Sequence, residues 1–230
     1  MNSNFDNPYN PGDICKIKSV FLHDPLHDAF TSAEMRFNQP CLHPDFVADR
    51  NDRDARRRAK SGRPCVVLDK NLMDGSCTIA LFCTFEGDDI NLVSSIYRCY
   101  SLSVFPTFRV PSCPEGEYAL DLDTKPLHTT PEWKLPPRKD NPTELKDQWV
   151  LTLPLQVSKQ DLNKLRPWPG SVAVDPIELA RFRKICHKVG DLFVERFKSP
   201  AELTMASQSV MVRLHSTNIF KFLPNSIILD

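Results

Sequence analysis

Apolar and polar positions keep three rhythms along this chain. After a polar lead (1–12), Pro11-Gly12-Asp13 turns into 14–21, where Cys15 and Ile17 alternate with Lys16 and Lys18 as on a half-buried strand. From 23 to 60 the alternation dissolves into a mixed-charge stretch, which reads as a long connection. It resumes over 61–87, SGRPCVVLDKNLMDGSCTIALFCTFEG. Here 63–68 and 76–86 predict two strands, with Asp74-Gly75 supplying the turn chemistry just before the second. The second strand is apolar on both faces, Cys77, Ile79, Leu81, Cys83 and Phe85 on one and Ala80 and Phe82 on the other, and is therefore central. Pro64 fits only because it begins its strand.

Residues 94–105 alternate again and predict a strand ended by Pro106, with a shorter one at 117–122. Between 123 and 148, prolines 126, 131, 136, 137 and 142 predict a solvent-exposed excursion. Residues 149–157 alternate strictly, with Trp149, Leu151, Leu153, Leu155 and Val157 on one face and Pro154 marking an edge strand.

Beyond this point the period changes to that of a helix. Ser158 to Asp161 opens a short helix, and Asp175-Pro176-Ile177-Glu178 combines a capping residue, a proline at the first helical position and an acid in the first turn. Phe182, Ile185, Cys186, Val189, Leu192, Phe193 and Phe197 then recur at three and four residues, with Gly190 as a weak point. Ser199-Pro200-Ala201-Glu202 repeats the signature and predicts a second helix to about 215. Phe220, Phe222, Leu223, Ile227, Ile228 and Leu229 predict a docked C-terminus. Together these elements predict one α+β domain: a strongly bent, mainly antiparallel small barrel over 13–157, with insertions at 23–62 and 123–148, and helices over 158–230.

Composition narrows the function classes. Hydrophobic residues make up 41% and charged residues 25%, ordinary globular values. Lys+Arg and Asp+Glu are both 29, so any polyanion site has to be local. With 20 prolines against 7 glycines, the connections are stiff. The 8 cysteines form no C-x-x-C pair and several lie inside apolar strands, where a reduced thiol behaves as a small hydrophobe. No apolar run reaches the roughly 18 residues of a membrane span. The expectation is a soluble cytoplasmic or nuclear protein with reduced cysteines and no membrane contact.

Pro11-Gly12-Asp13-Ile14, then Gly62-Arg63-Pro64-Cys65-Val66-Val67-Leu68, then a strand ending in Thr84, resembles the PemK/MazF family of toxin endoribonucleases over 11–87. The resemblance implies a small barrel related to SH3 domains that cuts RNA without a metal or other cofactor. It also implies catalytic roles for Arg63 and Thr84, and a homodimer. The pairing is chemically sensible, because a guanidinium can grip a scissile phosphate bidentately while a hydroxyl positions or relays a proton. Where family members often carry an acid before the arginine, this chain has Gly62.

Arg56, Arg57, Arg58 and Lys60, close before Arg63, are candidate contacts to nucleic-acid phosphates, interleaved with Asp49, Asp52 and Asp54. The bland alternative is a solvated loop face. His23 and His27 have the i, i+4 spacing that could share a metal on a helix, but Pro25 lies between them and no third ligand is evident beyond His43, so they read as loop residues. Cys41 with His43, and Cys186 with His187, are nominal nucleophile–base pairs better read as structural. Trp133 and Trp168 are either base-stacking platforms or plugs over the core. Two functions follow: metal-independent cleavage of single-stranded RNA by Arg63 and Thr84, or a non-catalytic barrel module that binds a protein or nucleic-acid partner.

Overall fold

A computed structural model describes residues 9–220 apart from 19, 52–61, 72, 86–88, 94, 112–123 and 134–145. Its first turn shows why glycine stands at position 12. Gly12 adopts φ +98°, its N–H donates to the Val67 carbonyl at 2.8 Å, and its own carbonyl accepts from Val174 N–H at 2.8 Å. A Cβ there would come within 2.9 Å of the Val174 carbonyl oxygen.

From this turn runs β1 (Ile14–Ile17), antiparallel to β2 (Arg63–Lys70), with Cys15 opposite Cys65. Next comes β3 (Cys77–Cys83), which lays Leu81 opposite Cys65. The remaining strands are β4 (Ser101–Ser103), β5 (Thr129–Thr130), β6 (Trp149–Leu151), β7 (Leu155–Val157), β8 (Leu165–Pro167) and β9 (Ala173–Val174). The main sheet has the order β4-β6-β3-β2-β1-β8, with β7 also on β3, and all its pairings are antiparallel; β5 and β9 pair separately. As its apolar faces require, β3 is central and almost wholly buried.

The predicted single strand over 149–157 is broken. Val150 pairs with Phe82 and Leu155 with Ile79, so the chain advances five residues here against three on β3. The two extra residues preserve the alternation, which is why the break leaves no trace in the pattern. They also separate an interior strand, β6, from the edge strand β7 that Pro154 foreshadows.

Three further expectations are corrected. The stretch read as a connection contains α1 (Asp24–Met35) and α2 (Pro44–Asn51). Pro25 sits in the first turn of α1, where a missing N–H is harmless, and Leu26, Phe30 and Ala33 form its buried stripe. Residues 94–105 are not one strand: a short helix, α3 (Ser95–Arg98), precedes a three-residue β4. The segment read as an exposed excursion is anchored at its described ends, with Leu127 and Trp133 fully buried. The shorter strand predicted at 117–122 lies outside the described residues.

The capping signature at Asp175 starts α4 (Pro176–Glu195), its carboxylate accepting from Ile177 N–H at 3.0 Å. The helix continues through Gly190. Its buried stripe of Leu179, Phe182, Ile185, Cys186, Val189 and Phe193 closes the core, where Phe193 meets Phe30 at 5.1 Å. α5 (Pro200–Phe220) runs past the predicted end and holds the α1–α2 loop, Ser207 Oγ accepting from His43 N–H at 2.9 Å. The apolar residues 222–229 lie outside the described part. No helix among the described residues is long and apolar enough to cross a membrane.

Candidate functional site

Arg63 opens β2 opposite Ile17 of β1. Carrying the β2–β3 register two residues on from Cys65 and Leu81 brings Arg63 level with Cys83, the last residue of β3. Cross-strand partners share a face, so Arg63 lies on the Cys83 side of the sheet, while Thr84 stands one residue past the end of β3, just before Phe85 with its φ of 45°. The electrostatics agree: burial pushes the Cys83 thiol and the Tyr97 phenol up, and the Arg63 guanidinium draws both partly back. Both predicted catalytic residues are half-buried, Arg63 at the start of β2 and Thr84 just beyond the end of β3.

Arg63 has no hydrogen-bond or ion-pair partner among the described residues. Gly62 explains why no acid precedes it here, because a Cβ at that position would stand 2.9 Å from the Ile17 carbonyl oxygen. An acid at the preceding position, able to pair with this arginine, is thus excluded by the backbone of β1. Arg56, Arg57, Arg58 and Lys60 lie outside the described residues.

A second cluster forms beside α1. The helix starts at Asp24 with His23 as its cap, so His23 and His27 are one turn apart, as their spacing allows on a helix. Phe46 of α2 packs edge-on against His27 at 4.7 Å and against Phe30 at 4.9 Å. Asp49, one turn beyond Phe46, is thereby aimed at the imidazoles. Its Oδ2 lies 3.3 Å from His27 Nε2 and 3.8 Å from His23 Nε2, and one donor atom from each of the three residues falls within 4.8 Å of the others. His27 is fully buried and Asp49 nearly so, while the His23 side chain is 19% exposed. Asp24 is buried at the helix start, accepting from Phe21 N–H at 3.0 Å.

The two clusters meet electrostatically at Tyr97, whose buried phenol is influenced by Arg63, Asp24 and Asp49 together. Sequence reasoning missed both Asp49 and Tyr97. Phe46 followed three residues later by an acid was the available signal for Asp49, had α2 been recognised.

The other nominated pairs do not assemble. His43 Nδ1 accepts from Asp45 N–H at 3.3 Å and stays outside the His23 and His27 cluster. Cys41 and Cys186 thiols are both pushed up by burial, the opposite of what a nucleophile needs, and His187 is exposed while Cys186 is buried in the stripe of α4. Trp133 is fully buried against Phe82 at 4.5 Å and Trp168 at 5.8 Å, a core plug. A groove of about 430 Å³ between α1, β7 and α4 is lined by Asp28, Arg36, Gln156, Asp191 and Glu195 among others, with neither Arg63 nor Thr84 on its wall. Compared with models of protein families, with curated proteins and with solved structures, the chain matches none.

Proposed function

We propose that the chain is a small SH3-like barrel of the PemK/MazF-like kind that binds single-stranded RNA through Arg63 without cutting it. The connectivity supports the barrel half of this reading. β1, β2 and β3 form a meander, β6 and β7 follow on the far side of β3, and a single 3-10 helix (Lys159–Lys164) leads into β8, which returns to β1. A last strand laid back on the first is how a short sheet curls toward closure.

One observation carries the binding half: Arg63 is a half-buried guanidinium with no anionic partner among the described residues. It faces a thiol and a phenol that burial holds neutral. A cation partly removed from water without a counter-charge is an anion site in waiting, and a phosphate offers both the charge and the bidentate acceptor geometry a guanidinium prefers. The basic run that precedes it in sequence would extend the contact along the backbone. Cleavage needs a second group on the same phosphate, and Thr84, beyond the end of β3, is not held by the strand pairing that positions Arg63.

Anisotropy with labelled single-stranded RNA in chelator tests this. Arg63→Ala is expected to weaken binding about tenfold or more, the worth of one charge-assisted contact, while Thr84→Ala leaves affinity unchanged and the RNA stays full length on a denaturing gel. No binding by the wild type overturns the proposal. Shortened RNA that is protected by Arg63→Ala replaces it with the ribonuclease reading.

A further inference from the structure

We propose that His23, His27 and Asp49 bind one divalent transition-metal ion of the zinc class, linking α1 to α2 and leaving one coordination position open to water. This site goes beyond the RNA-binding reading and stands without it.

The donor set comes first. Two imidazole nitrogens and a carboxylate oxygen are borderline ligands suited to zinc-class ions and poorly suited to magnesium or calcium, which take oxygen donors. Geometry comes next. Ligands about 2.0–2.1 Å from a tetrahedral ion stand about 3.3–3.4 Å apart. His27 Nε2 and Asp49 Oδ2 are 3.3 Å apart already. His23 Nε2 aims at the same carboxylate oxygen from 3.8 Å, too long for a hydrogen bond but within a small side-chain rotation of a shared ion.

The ligands are also held in advance. His23 and His27 are fixed one turn apart by α1, and Phe46 sets α2 so that Asp49 faces them. Phe21 stacks on the His23 ring at 5.6 Å, and the two imidazoles meet edge to face at 5.2 Å. Such packing limits each ring to the orientation that points its nitrogen inward, so little ordering remains when an ion arrives. His23, exposed on one side, places the fourth position toward solvent, where a water completes the shell.

The test uses the full chain, stripped with chelator and desalted, without RNA. Titration with Zn²⁺ should saturate at one ion per chain and raise the thermal midpoint by about 5–10 °C at hundredfold excess over Kd. Co²⁺ in its place should give visible ligand-field bands of a four- or five-coordinate nitrogen–oxygen site with no thiolate charge-transfer band in the near ultraviolet. His23→Gln, the most exposed ligand, should keep the circular dichroism and midpoint of the metal-free protein yet lose affinity by at least about a hundredfold. Asp49→Asn should do the same and His43→Gln should bind normally. A wild type that takes up no Zn²⁺, a thiolate band with Co²⁺, or undiminished affinity in His23→Gln overturns the proposal.

Discussion

Replacing Trp133 with alanine removes the indole that pins 124–133 to the sheet. The ring is fully buried, resting on Phe82 at 4.5 Å, while the rest of its segment is held by the two-residue β5–β9 pairing, by the buried Leu127 with its backbone hydrogen bonds to Ser103 and Phe105, and by Arg181 donating to the Lys125 and Pro126 carbonyls. None of these ties replaces the lost packing. A fully buried aromatic truncated to alanine costs about 3–5 kcal/mol, which for a chain of this size lowers the thermal midpoint by roughly 6–20 °C. Phenylalanine separates packing from polarity. The indole N–H has no acceptor among the described residues, and an unmatched buried donor costs about 1–3 kcal/mol, so Trp133→Phe loses ring area but sheds that penalty and should fall within about 1 kcal/mol of wild type. Thermal unfolding followed by circular dichroism reads both variants, and RNA affinity measured well below either transition completes the experiment. A plug loses stability and keeps affinity; a base-stacking platform does the reverse. An alanine variant melting within 2 °C of wild type, or one with intact stability and RNA affinity reduced about tenfold, the worth of one stacked base, would refute the packing argument.

Two further outcomes follow from the same core. Gly12→Ala forces a side chain into φ +98° with its Cβ 2.9 Å from the Val174 carbonyl, and should lower the thermal midpoint by about 4 °C or more, against a rise of about 1–4 °C for an alanine at Gly190, inside α4, where a Cβ meets nothing within 4 Å and the helix gains the better former. The buried thiols make stability fall in alkali. Cys15 is raised from 9.0 to about 12 and Cys77 to about 11, mainly by burial, so each contribution is complete below pH 9 and is lost as pH rises through the folded value. For Cys15 that loss reaches about 2 kcal/mol by pH 10.5, and urea midpoints at pH 7.5 and 10.5 should show a shallower decline in Cys15→Ala. An identical decline would mean that this thiol is not desolvated.

How far the sequence carries depends on whether a residue's chemistry matches its location. The strands at Cys15, Cys65 and Leu81 and the cap at Asp175 were legible because apolar alternation and capping chemistry agree with where the chain lies. α1 and α2 were obscured because polar residues, Asp24, His27 and Asp49, occupy buried positions among their apolar ones, which flattens the periodicity. Residues 94–105 misled for the opposite reason: Ile96 and Tyr97, residue types that favour strands, fall in the short helix α3, where tertiary placement overrides local preference. For the site, the sequence could nominate Arg63 and Thr84, but its apolar alternation runs on to Phe85 while β3 ends at Cys83, so the pattern does not show that Thr84 leaves the strand. The convergence of Asp49 on two histidines requires the packing of Phe46, which no linear pattern displays.

The central claim is that Arg63 is the anion contact through which the chain binds RNA. The most direct measurement follows the Arg63 Nε–Hε resonance in a nitrogen–proton correlation spectrum as single-stranded RNA is added in chelator. The account predicts a saturable shift of that resonance at one RNA per chain, with the RNA intact throughout. A resonance that stays in place while RNA binds elsewhere, or that never senses RNA, would contradict it.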